Sequence, residues 1–438
     1  MTAAGGLARL YGGRHDRTTY EIRDFLTRTV VQYEWTPIDS DAECFDALGT
    51  SLAHARLPVL VLPDGAELVE PSLEQIARSL GWISEPHVST YDLAIYGAGP
   101  AGLSAAVYAA SEGLRVVLVE REAVGGQAGS SSLIENYLGF PSGVRGAELM
   151  ERARQQAVAF GAELLLMRQK IRGEIRQHGS RSAFSDGTQI AATAVIAATG
   201  VAWRRLGLDN EDRFLGAGVY YGAGTSEAMA CVDEEVFIVG GANSAGQAAM
   251  NLAAQASRVT LVVRGPSLSS TMSSYLANRI AQEPKVRVLT DTRIVELRGG
   301  DELESIVLEN GRGEREECPT GRVFACIGGV PDTHWTTHTS IVCDPRGFLL
   351  TGPDLTPELL AGRWDLDRPP FHLETSVPGT FAAGDVRSGS VKRVASAVGE
   401  GAMAVTLVHR YLSETFGTEG TLGAPPPPLF DDLARPVA

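Results

Sequence analysis

The most regular hydrophobic pattern in the chain lies between residues 91 and 120. A short apolar run, Leu93–Tyr96, is followed by a glycine-rich turn, an alanine-rich helical pattern and a second apolar run, Val116–Val119. Apolar runs of this length predict strands that are buried in a parallel sheet. The stretch therefore predicts a strand, a tight turn, a helix and a second parallel strand.

The turn and the end of the second strand carry the chemistry of this unit. Gly97, Gly99 and Gly102 have G-x-G-x-x-G spacing, and Glu120 ends the second strand. Glycines at these positions permit a tight turn, a close approach of the backbone to a pyrophosphate and close packing of helix on strand. An acid at the end of the second strand accepts hydrogen bonds from a ribose hydroxyl. The unit therefore predicts a dinucleotide site.

The same pattern recurs further along the chain. It consists of a predicted strand, a turn, a helix, a second strand and a final arginine: Val236–Val239, residues 240–246 (GGANSAG), Gln247–Gln255, Val259–Val263 and Arg264. This order predicts a second βαβ unit.

Residues 1–85 precede the first unit and predict a small domain of their own. Tyr20–Thr29 places apolar side chains on one helical face, and Val30–Trp35 and Leu57–Leu62 are typical of strands. A serine followed three residues later by a glutamine, at 72–75, predicts a capping box and a last helix.

Composition and charge narrow the classes of function. The 438 residues carry a net charge of −15, which argues against nucleic acid or an anionic membrane as a partner. No apolar stretch reaches transmembrane length, and the N-terminus lacks the apolar core of a signal peptide, so the sequence predicts a cytoplasmic protein. The five cysteines form no C-x-x-C pair, and His334 and His338 lie in a threonine-rich stretch after a proline. No metal site is therefore predicted.

Further short motifs follow the first unit in a fixed order. They are residues 125–127 (GGQ), 198–200 (ATG) and 384–385 (GD), and then a helical pattern at Val391–Leu412. With the two βαβ units, these motifs resemble the low-molecular-weight thioredoxin reductases and their relatives among flavoproteins with two dinucleotide domains. The resemblance spans about Tyr91 to Leu412. It implies an α/β fold of two Rossmann-like dinucleotide-binding domains. Each is a three-layer ββα domain, and the second is inserted in the first.

The resemblance also implies domain borders, cofactors and an assembly. It places an FAD-binding domain at residues 91–205 and 331–415, an NAD(P)H-binding-like domain at 206–330 and a proline-rich tail at 416–438. The implied cofactors are FAD and either NADPH or NADH, and the implied assembly is a homodimer. The implied partner is a small molecule or a redox protein that accepts electrons.

Carried over residue by residue, the resemblance assigns the contacts of both cofactors. The FAD contacts are Gly97, Gly99, Gly102, Glu120, Gln127, Asn136, Thr199, Gly200, Gly384, Asp385, Lys392, Arg393 and Val394. The NAD(P)H contacts are Gly240, Ala242, Asn243, Ser244, Ala245 and Arg264. The backbone amides at 392–394 would face the flavin N1–O2 edge, where donors favour the anionic reduced flavin.

The N-terminal domain resembles a glutaredoxin or thioredoxin-like domain, with Pro58 where that family has a cis-proline. Family members carry C-x-x-C at the start of the first helix, where the helix terminus lowers the pKa of a thiol. The matching stretch here is residues 15–18 (HDRT), and Cys44 lies alone elsewhere. The domain is therefore interpreted as a docking or structural element rather than as a thiol carrier.

The sequence departs from thioredoxin reductases at the redox dithiol. Those enzymes place C-A-T-C-D before the second fingerprint strand, and here the two cysteine positions fall within Gly222–Thr225. Neither is a cysteine, so the sequence argues against thioredoxin-disulfide reductase activity. Thr225, Glu227 and Tyr221 become the candidate catalytic residues beside the flavin, and Tyr220 or Tyr221 is a candidate to cover its ring.

The nucleotide turn of the second unit departs from the pattern too. Ala242 replaces the second fingerprint glycine, and Arg264 alone remains of the arginines that mark the 2′-phosphate of NADPH in relatives. A methyl group at position 242 is expected to cost either contact distance or an unfavourable φ. The sequence therefore predicts a weakened nicotinamide site with little preference for NADPH over NADH.

Three functions stay open at this point. The first is an FAD-dependent enzyme that passes electrons from NAD(P)H through the flavin directly to a non-disulfide acceptor. That acceptor would be a ferredoxin-like protein, a quinone, oxygen or a small metabolite. The second is an FAD-dependent oxidase or dehydrogenase of a small molecule with a vestigial nicotinamide site. The third is a flavin-bearing redox sensor.

Overall fold

The computed structural model describes residues 6–14, 16–176, 179–222 and 231–417. Within these residues the chain divides into two compact units. The first unit contains the N-terminal residues up to Ser79, Ser130–Ile134 and Trp203–Gly329. The second contains Leu80–Gly129, Glu135–Ala202 and the residues from Val330 onward.

The strands and helices are numbered here in chain order. The strands are β1 (Ala8–Gly12), β2 (Tyr33–Pro37), β3 (Val59–Val61), β4 (Glu67–Val69), β5 (Thr90–Tyr96), β6 (Val116–Val119), β7 (Glu163–Leu165), β8 (Lys170–Arg176), β9 (Gly179–Phe184), β10 (Gln189–Ala197), β11 (Val201–Trp203), β12 (Val219–Tyr221), β13 (Glu235–Val239), β14 (Arg258–Val262), β15 (Val286–Leu289), β16 (Thr292–Arg298), β17 (Ser305–Asn310), β18 (Arg315–Pro319), β19 (Val323–Ala325), β20 (Gly329–Pro331) and β21 (Thr380–Ala382). The described α-helices are α1 (Arg17–Arg28), α2 (Asp41–Leu48), α3 (Leu73–Ser79), α4 (Pro100–Ser111), α5 (Gly126–Gly129), α6 (Gly146–Ala159), α7 (Asn243–Ala253), α8 (Ser274–Gln282), α9 (Pro357–Leu360) and α10 (Val394–Phe416).

The N-terminal residues fold into a four-stranded sheet with the order β2-β1-β3-β4. Strand β1 runs parallel to β2 and antiparallel to β3, and β3 pairs antiparallel with β4. Helix α1 buries Ile22, Phe25 and Leu26, whose spacing places them on one face. The Leu57–Pro58 peptide bond is cis.

Two predicted boundaries in this region differ from the structure. Helix α1 begins three residues earlier than predicted, because the Asp16 carboxylate accepts a hydrogen bond from Thr19 N (2.7 Å) and caps the helix there. Strand β2 begins at Tyr33 rather than at Val30, since Val30 has a φ of +57° and turns the chain out of the helix. The capping box at 72–75 is confirmed by its two reciprocal hydrogen bonds.

The second unit is built on the sheet β7-β6-β5-β10-β9-β8, with β21 added beside β10. Strands β5, β6, β7, β10 and β21 are parallel, whereas β8 and β9 form an antiparallel extension. Helices α4 and α10 pack so closely that a Cβ on Gly401 would lie 2.2 Å from the Ala101 carbonyl oxygen. This packing brings the residues after β21 next to the turn after β5.

The rest of the first unit repeats this architecture on a smaller scale. Its parallel sheet has the order β12-β19-β13-β14-β15, and β16, β17 and β18 form an antiparallel layer. Helix α7 packs on β13 and β14 over a core of small and branched side chains. The predicted fold class of two Rossmann-like α/β domains is thus confirmed. Within the described chain, no helix is both long enough and apolar enough to cross a membrane.

Candidate functional site

The turn after β5 needs its three glycines for different reasons. Gly97 has a φ of +105°, and a Cβ on it would lie 2.4 Å from the Ala198 carbonyl oxygen. A Cβ on Gly102 would lie 1.8 Å from the Gly97 carbonyl oxygen, so this glycine lets helix and strand pack. Gly99, at the start of α4, has an ordinary φ of −75° and open space where its Cβ would be. The backbone at Gly99 is therefore exposed to an approaching ligand.

The Glu120 carboxylate is fixed beside this turn. Its Oε2 accepts a hydrogen bond from Ala98 N (2.7 Å), inside the glycine turn, and its Oε1 accepts one from Glu122 N (2.9 Å). Bonds from backbone amides leave further lone pairs of the two oxygens for donors on a ligand. The acid predicted for the ribose thus stands in the same turn as the predicted pyrophosphate cradle.

Two more of the predicted flavin-binding residues are fixed by hydrogen bonds within the second unit. Gln127 donates from Nε2 to the Val201 carbonyl oxygen (2.9 Å), and Thr199 donates from Oγ1 to the Asp332 carbonyl oxygen (2.9 Å). Gly200 has a φ of +66° and turns the chain after β10. Asn136 is exposed. The structure therefore orders the loops that follow β5, β6 and β10.

The segment after β21 carries a charge cluster that sequence patterns did not reveal. The Glu400 carboxylate accepts a hydrogen bond from Gly384 N (2.8 Å) and pairs with the Arg387 guanidinium (2.7 Å). Both side chains are largely buried. Glu400 lies in α10, far along the chain from Gly384, so no local spacing rule connects them. This pair fixes the turn that presents Asp385.

Asp385 and Lys392 perturb each other in this cluster. Burial raises the pKa of the Asp385 carboxyl, the Lys392 ammonium opposes that rise and Glu400 adds to it. Burial lowers the pKa of the Lys392 ammonium. The ammonium donates to the Asp385 carbonyl oxygen (2.5 Å) and lies 4.5 Å from the centre of the Phe348 ring. Perturbed ionisable groups in one cluster are typical of functional sites.

The nucleotide turn of the first unit lies between β13 and α7 and requires glycine at Gly240 but not at Ala242. Gly240 has a φ of +145°, and a Cβ there would lie 2.4 Å from the Cys326 carbonyl oxygen. Ala242, the first residue before α7, has a φ of −101° and a ψ of −179°, which is ordinary extended backbone. Of the two costs expected for a methyl group at position 242, this backbone excludes the unfavourable φ, and the loss of contact distance stays a prediction. Thr271 Oγ1 and Ser273 N close the turn by donating to Gly241 O (2.6 Å) and Asn243 Oδ1 (2.8 Å).

Of the three candidate catalytic residues, Thr225 and Glu227 lie outside the described residues. Tyr221 donates its hydroxyl hydrogen to Glu211 Oε1 and accepts a hydrogen bond from Leu206 N (2.9 Å). Burial, with Glu211 adding to it, raises the pKa of the Tyr221 hydroxyl above its usual range. This environment does not favour Tyr221 as a proton donor.

Tyr220 does not match the expectation of a ring that covers a flavin. Its side chain is 5% exposed and stacks on Phe324 within the core of the first unit, with ring centres 5.3 Å apart. The alternation of side chains along β12 places Tyr220 and Tyr221 on opposite faces of the strand. The sequence offered both tyrosines as candidates to cover the flavin ring, because it could not show that they lie on a strand or which face of that strand is buried.

The five cysteines are all free thiols and lie far apart in the sequence. Cys44, Cys231 and Cys326 are buried, and burial raises the pKa of the Cys326 thiol to about 12. A thiol of that pKa is almost wholly protonated near neutral pH and is a poor nucleophile. In the described part of the chain, no cluster of three or more His, Cys, Asp or Glu side chains could hold a metal.

Comparisons with known proteins give the site its context. A family model described as pyridine nucleotide-disulphide oxidoreductase matches residues 91–401. The chain is 33% identical over 338 residues to the thioredoxin reductase of Peptoclostridium acidaminophilum, covering 75% of this chain and 99% of that relative. It is 33% identical to the thioredoxin reductase of Treponema pallidum, covering 74% and 97%. The solved thioredoxin reductase of Lactococcus lactis matches with a TM-score of 0.66 at 28% identity, covering 74% and 99%.

These comparisons correct the predicted function. The sequence argument placed a non-disulfide acceptor first and argued against a thioredoxin-disulfide reductase, because the two cysteines are missing near residues 222–225. Curated relatives that match about three quarters of the chain are thioredoxin reductases, and this contradicts that order. The missing dithiol is a property of one short segment, whereas the relatedness extends over both dinucleotide domains.

Proposed function

Since the chain belongs to the pyridine nucleotide-disulphide oxidoreductase family, we propose that it is a disulfide reductase of the thioredoxin reductase type. It is an FAD-dependent oxidoreductase whose second cofactor is a pyridine nucleotide. The acceptor in this proposal is the disulfide of a redox protein such as a thioredoxin. The observation that carries the proposal is the glycine turn with Glu120 beside it. It is supported by relatives named thioredoxin reductase, which match 75% and 74% of this chain.

The residues of the second unit fit an FAD. The open backbone at Gly99 leaves space for a pyrophosphate, and the Glu120 carboxylate, held by Ala98 N, faces the same turn for a ribose hydroxyl. Asp385, in its turn fixed by Glu400, would accept hydrogen bonds from the ribityl or pyrophosphate region. Bound there, the flavin supplies a two-electron carrier between nucleotide and disulfide. We propose the full set of flavin contacts given above on this basis.

The turn before α7 would bind the pyridine nucleotide. Its extended backbone at Ala242 accepts the methyl group without strain, and the helix N-terminus presents unpaired amides to a pyrophosphate. Gly240, Asn243, Ser244 and Ala245 complete the turn. Arg264, exposed just after β14, would contact the 2′-phosphate of NADPH.

The disulfide that receives the electrons must belong to the partner in this proposal. The chain has no cysteines spaced as C-x-x-C, and the five cysteines form no disulfide with one another. Reduction of a disulfide takes two electrons and two protons, breaks the S–S bond and yields two thiols. The nucleotide supplies a hydride, which carries both electrons and one proton, and solvent or a side chain supplies the second proton. Thr225 and Glu227 stay our candidates for that side chain.

The test is the formation of thiols on an oxidised thioredoxin. Under anaerobic conditions with NADPH, we expect the FAD-loaded protein to generate two thiols for each NADPH consumed. A variant with all five cysteines replaced by serine or alanine should retain most of this activity, because no thiol of the chain takes part. Folding of the variant is checked by its bound flavin absorbance.

Two results would contradict the proposal in different ways. If NADPH bleaches the flavin but no thiols form on thioredoxin or on a small disulfide, the acceptor is not a disulfide. If the wild-type protein is active and the folded cysteine-free variant is inactive, a thiol of this chain takes part after all. Retained activity in both proteins supports transfer to the partner's disulfide.

The charge of Arg264 gives a second prediction. Replacing Arg264 with alanine should weaken NADPH binding and so erase the remaining preference for NADPH over NADH, because a charge-assisted bond contributes about 1.5–3 kcal/mol, or about tenfold or more in affinity. NADH should react as before. Arg287→Ala, which removes another exposed arginine from the neighbouring strand β15, is the matched control. Stopped-flow rates of anaerobic flavin reduction by each nucleotide decide the matter, and an unchanged preference in Arg264→Ala would exclude this contact.

The domain borders, the assembly and the character of the N-terminal domain are proposals too. We propose the domain borders 1–85, 91–205 with 331–415, and 206–330, and a homodimer as the assembly. The N-terminal sheet order, with its parallel β1–β2 pair and the helix between them, supports a thioredoxin-like domain. The residues at 15–18 hold no cysteine, so this domain is not proposed as an electron carrier.

A further inference from the structure

The first turn of α1 contacts the parallel sheet of its own unit. Tyr20 is half-buried against the hydrophobic core that includes β13, β14 and α7. Its ring lies 5.1 Å from the ring of Tyr220, centre to centre, with the planes tilted by 59°. Tyr220 in turn stacks on Phe324 at 5.3 Å. Three aromatic rings therefore connect the N-terminal helix to β12 and β19.

The backbone at Gly216 is shaped for this contact. Gly216 has a φ of +75°, a conformation that favours glycine. A Cβ added there would lie 3.3 Å from the Arg17 Cα and 3.2–3.3 Å from atoms of Tyr20. The absence of a side chain at Gly216 thus lets the first turn of α1 approach the loop before β12.

The hydroxyl of Tyr220 has hydrogen-bond partners of its own. It donates to the Gly216 carbonyl oxygen (3.3 Å) and accepts a hydrogen bond from Arg322 Nη1 (3.2 Å). Arg322 is itself paired with the Glu234 carboxylate (2.5 Å). The ring of Tyr220 is therefore fixed by Tyr20 and Phe324, and its hydroxyl by Gly216 and Arg322.

Strand β12 depends on such side-chain contacts more than its neighbours do. It is three residues long and lies at the edge of its sheet, with β19 as its strand partner. A short edge strand has few backbone hydrogen bonds to define its position. The chain leaves β12 at Tyr221 and enters Gly222, the beginning of the segment where the family resemblance expects the redox dithiol.

We infer that the N-terminal domain serves as a positioning element, in which Tyr20 fixes β12 as far as Gly222. Tyr20 is a positioning residue and touches no substrate. The consequence for turnover rests on the proposed disulfide reductase function, whereas the effect on β12 does not. This inference gives a task to a domain that lacks redox cysteines.

The experiment compares full-length, FAD-loaded variants by hydrogen exchange and by kinetics. We expect the rate of amide exchange in peptides covering 217–222 to rise about two- to tenfold in Tyr20→Ala, because the variant loses an aromatic pair. We expect the same rise in Tyr20→Leu, which retains an apolar side chain but no ring. Thioredoxin-dependent kcat should fall by a similar factor. Anaerobic flavin reduction by NADPH should stay within about twofold of the wild type, because the hydrogen bonds that close the nucleotide turn at Gly241 and Asn243 do not involve Tyr20.

Matched controls separate positioning from loss of stability. Tyr33→Ala removes another half-buried tyrosine of the N-terminal domain, whose hydroxyl meets Thr27, so it should raise exchange within residues 8–79 only. Tyr20→Phe retains the ring and should behave as the wild type. Unchanged exchange at 217–222 in both Tyr20→Ala and Tyr20→Leu would overturn the inference. So would an equal rise at 217–222 in Tyr33→Ala.

Failure of this inference and failure of the proposed function give different results. If the wild-type protein reduces no disulfide but exchange at 217–222 rises in the Tyr20 variants alone, the positioning role stands and the proposed function falls. If thioredoxin is reduced and exchange at 217–222 does not respond to Tyr20, the inference falls by itself.

Discussion

Gly99→Val is expected to abolish FAD binding while leaving the protein folded. The φ of −75° at Gly99 is open to any residue, and no atom lies within 4 Å of an added Cβ. The fold therefore has no need of glycine at this position. A valine side chain would instead occupy the space through which a pyrophosphate approaches the helix N-terminus.

The measurement is the flavin absorbance that remains with the protein after gel filtration, together with a fluorescence titration with FAD. The wild type should retain about one FAD per chain, Gly99→Ala less and Gly99→Val none that is detectable. Far-UV circular dichroism should be unchanged in both variants. Full FAD occupancy in Gly99→Val would show that the pyrophosphate lies elsewhere.

Gly97 and Gly102 provide the contrast that makes this test specific. An added Cβ at Gly97 would lie 2.4 Å from a backbone oxygen at a φ of +105°, and at Gly102 it would lie 1.8 Å from another. Variants at these two positions should lose FAD because the turn itself cannot form. Loss of the flavin without loss of structure is thus expected at Gly99 alone among the three glycines.

Local patterns predicted the two dinucleotide units well. The apolar runs before each glycine turn became β5 and β13, and the glycine spacing was sufficient to place α4 and α7 after them. These features depend on residues within about thirty positions of one another, where periodicity and turn chemistry determine the structure. The resemblance to flavoproteins then added the insertion of one domain in the other, which no local pattern contains.

Side-chain contacts between separate elements could not be predicted in the same way. Glu400 fixes the turn at Gly384, and Tyr20 packs on Tyr220, yet neither pair belongs to a motif that marks it, whether the residues are near or distant in the chain. At Ala242 the identity of the residue left two possible costs open, an unfavourable φ or a longer contact distance, and the observed φ of −101° excludes the first. The weight given to residues 222–225 was an error of another kind, because one missing pair of cysteines was set above a resemblance that already extended over both dinucleotide domains.

The largest effect on stability is expected at Glu374, which is fully buried in the second unit just before β21. Its carboxylate accepts hydrogen bonds from Phe371 N (2.9 Å), Gly379 N (3.0 Å) and both terminal nitrogens of Arg368 (2.7 and 3.2 Å). Glu374→Gln keeps the shape but removes the charge and brings an amide N–H₂ against these donors. Breaking a buried pair in this way costs on the order of 3 kcal/mol of unfolding free energy. Strand β21 leads directly to Gly384, so retention of FAD should weaken as well.

Arg368 supplies a matched control, because it also pairs with Glu414 (2.9 Å), whose side chain is 39% exposed. Glu414→Gln removes the same kind of charge from the same guanidinium in a solvated place, where such pairs contribute at most about 1 kcal/mol. In denaturant unfolding of the FAD-loaded proteins, Glu374→Gln should therefore lose about three times as much unfolding free energy as Glu414→Gln. Equal losses would show that the backbone donors at Phe371 and Gly379 do not need the Glu374 charge. We expect unequal losses because the four donors around Glu374 are largely buried with it and would lose the charge that they face. The partners of Glu414 are partly exposed, so solvent can replace the contact that Glu414→Gln removes.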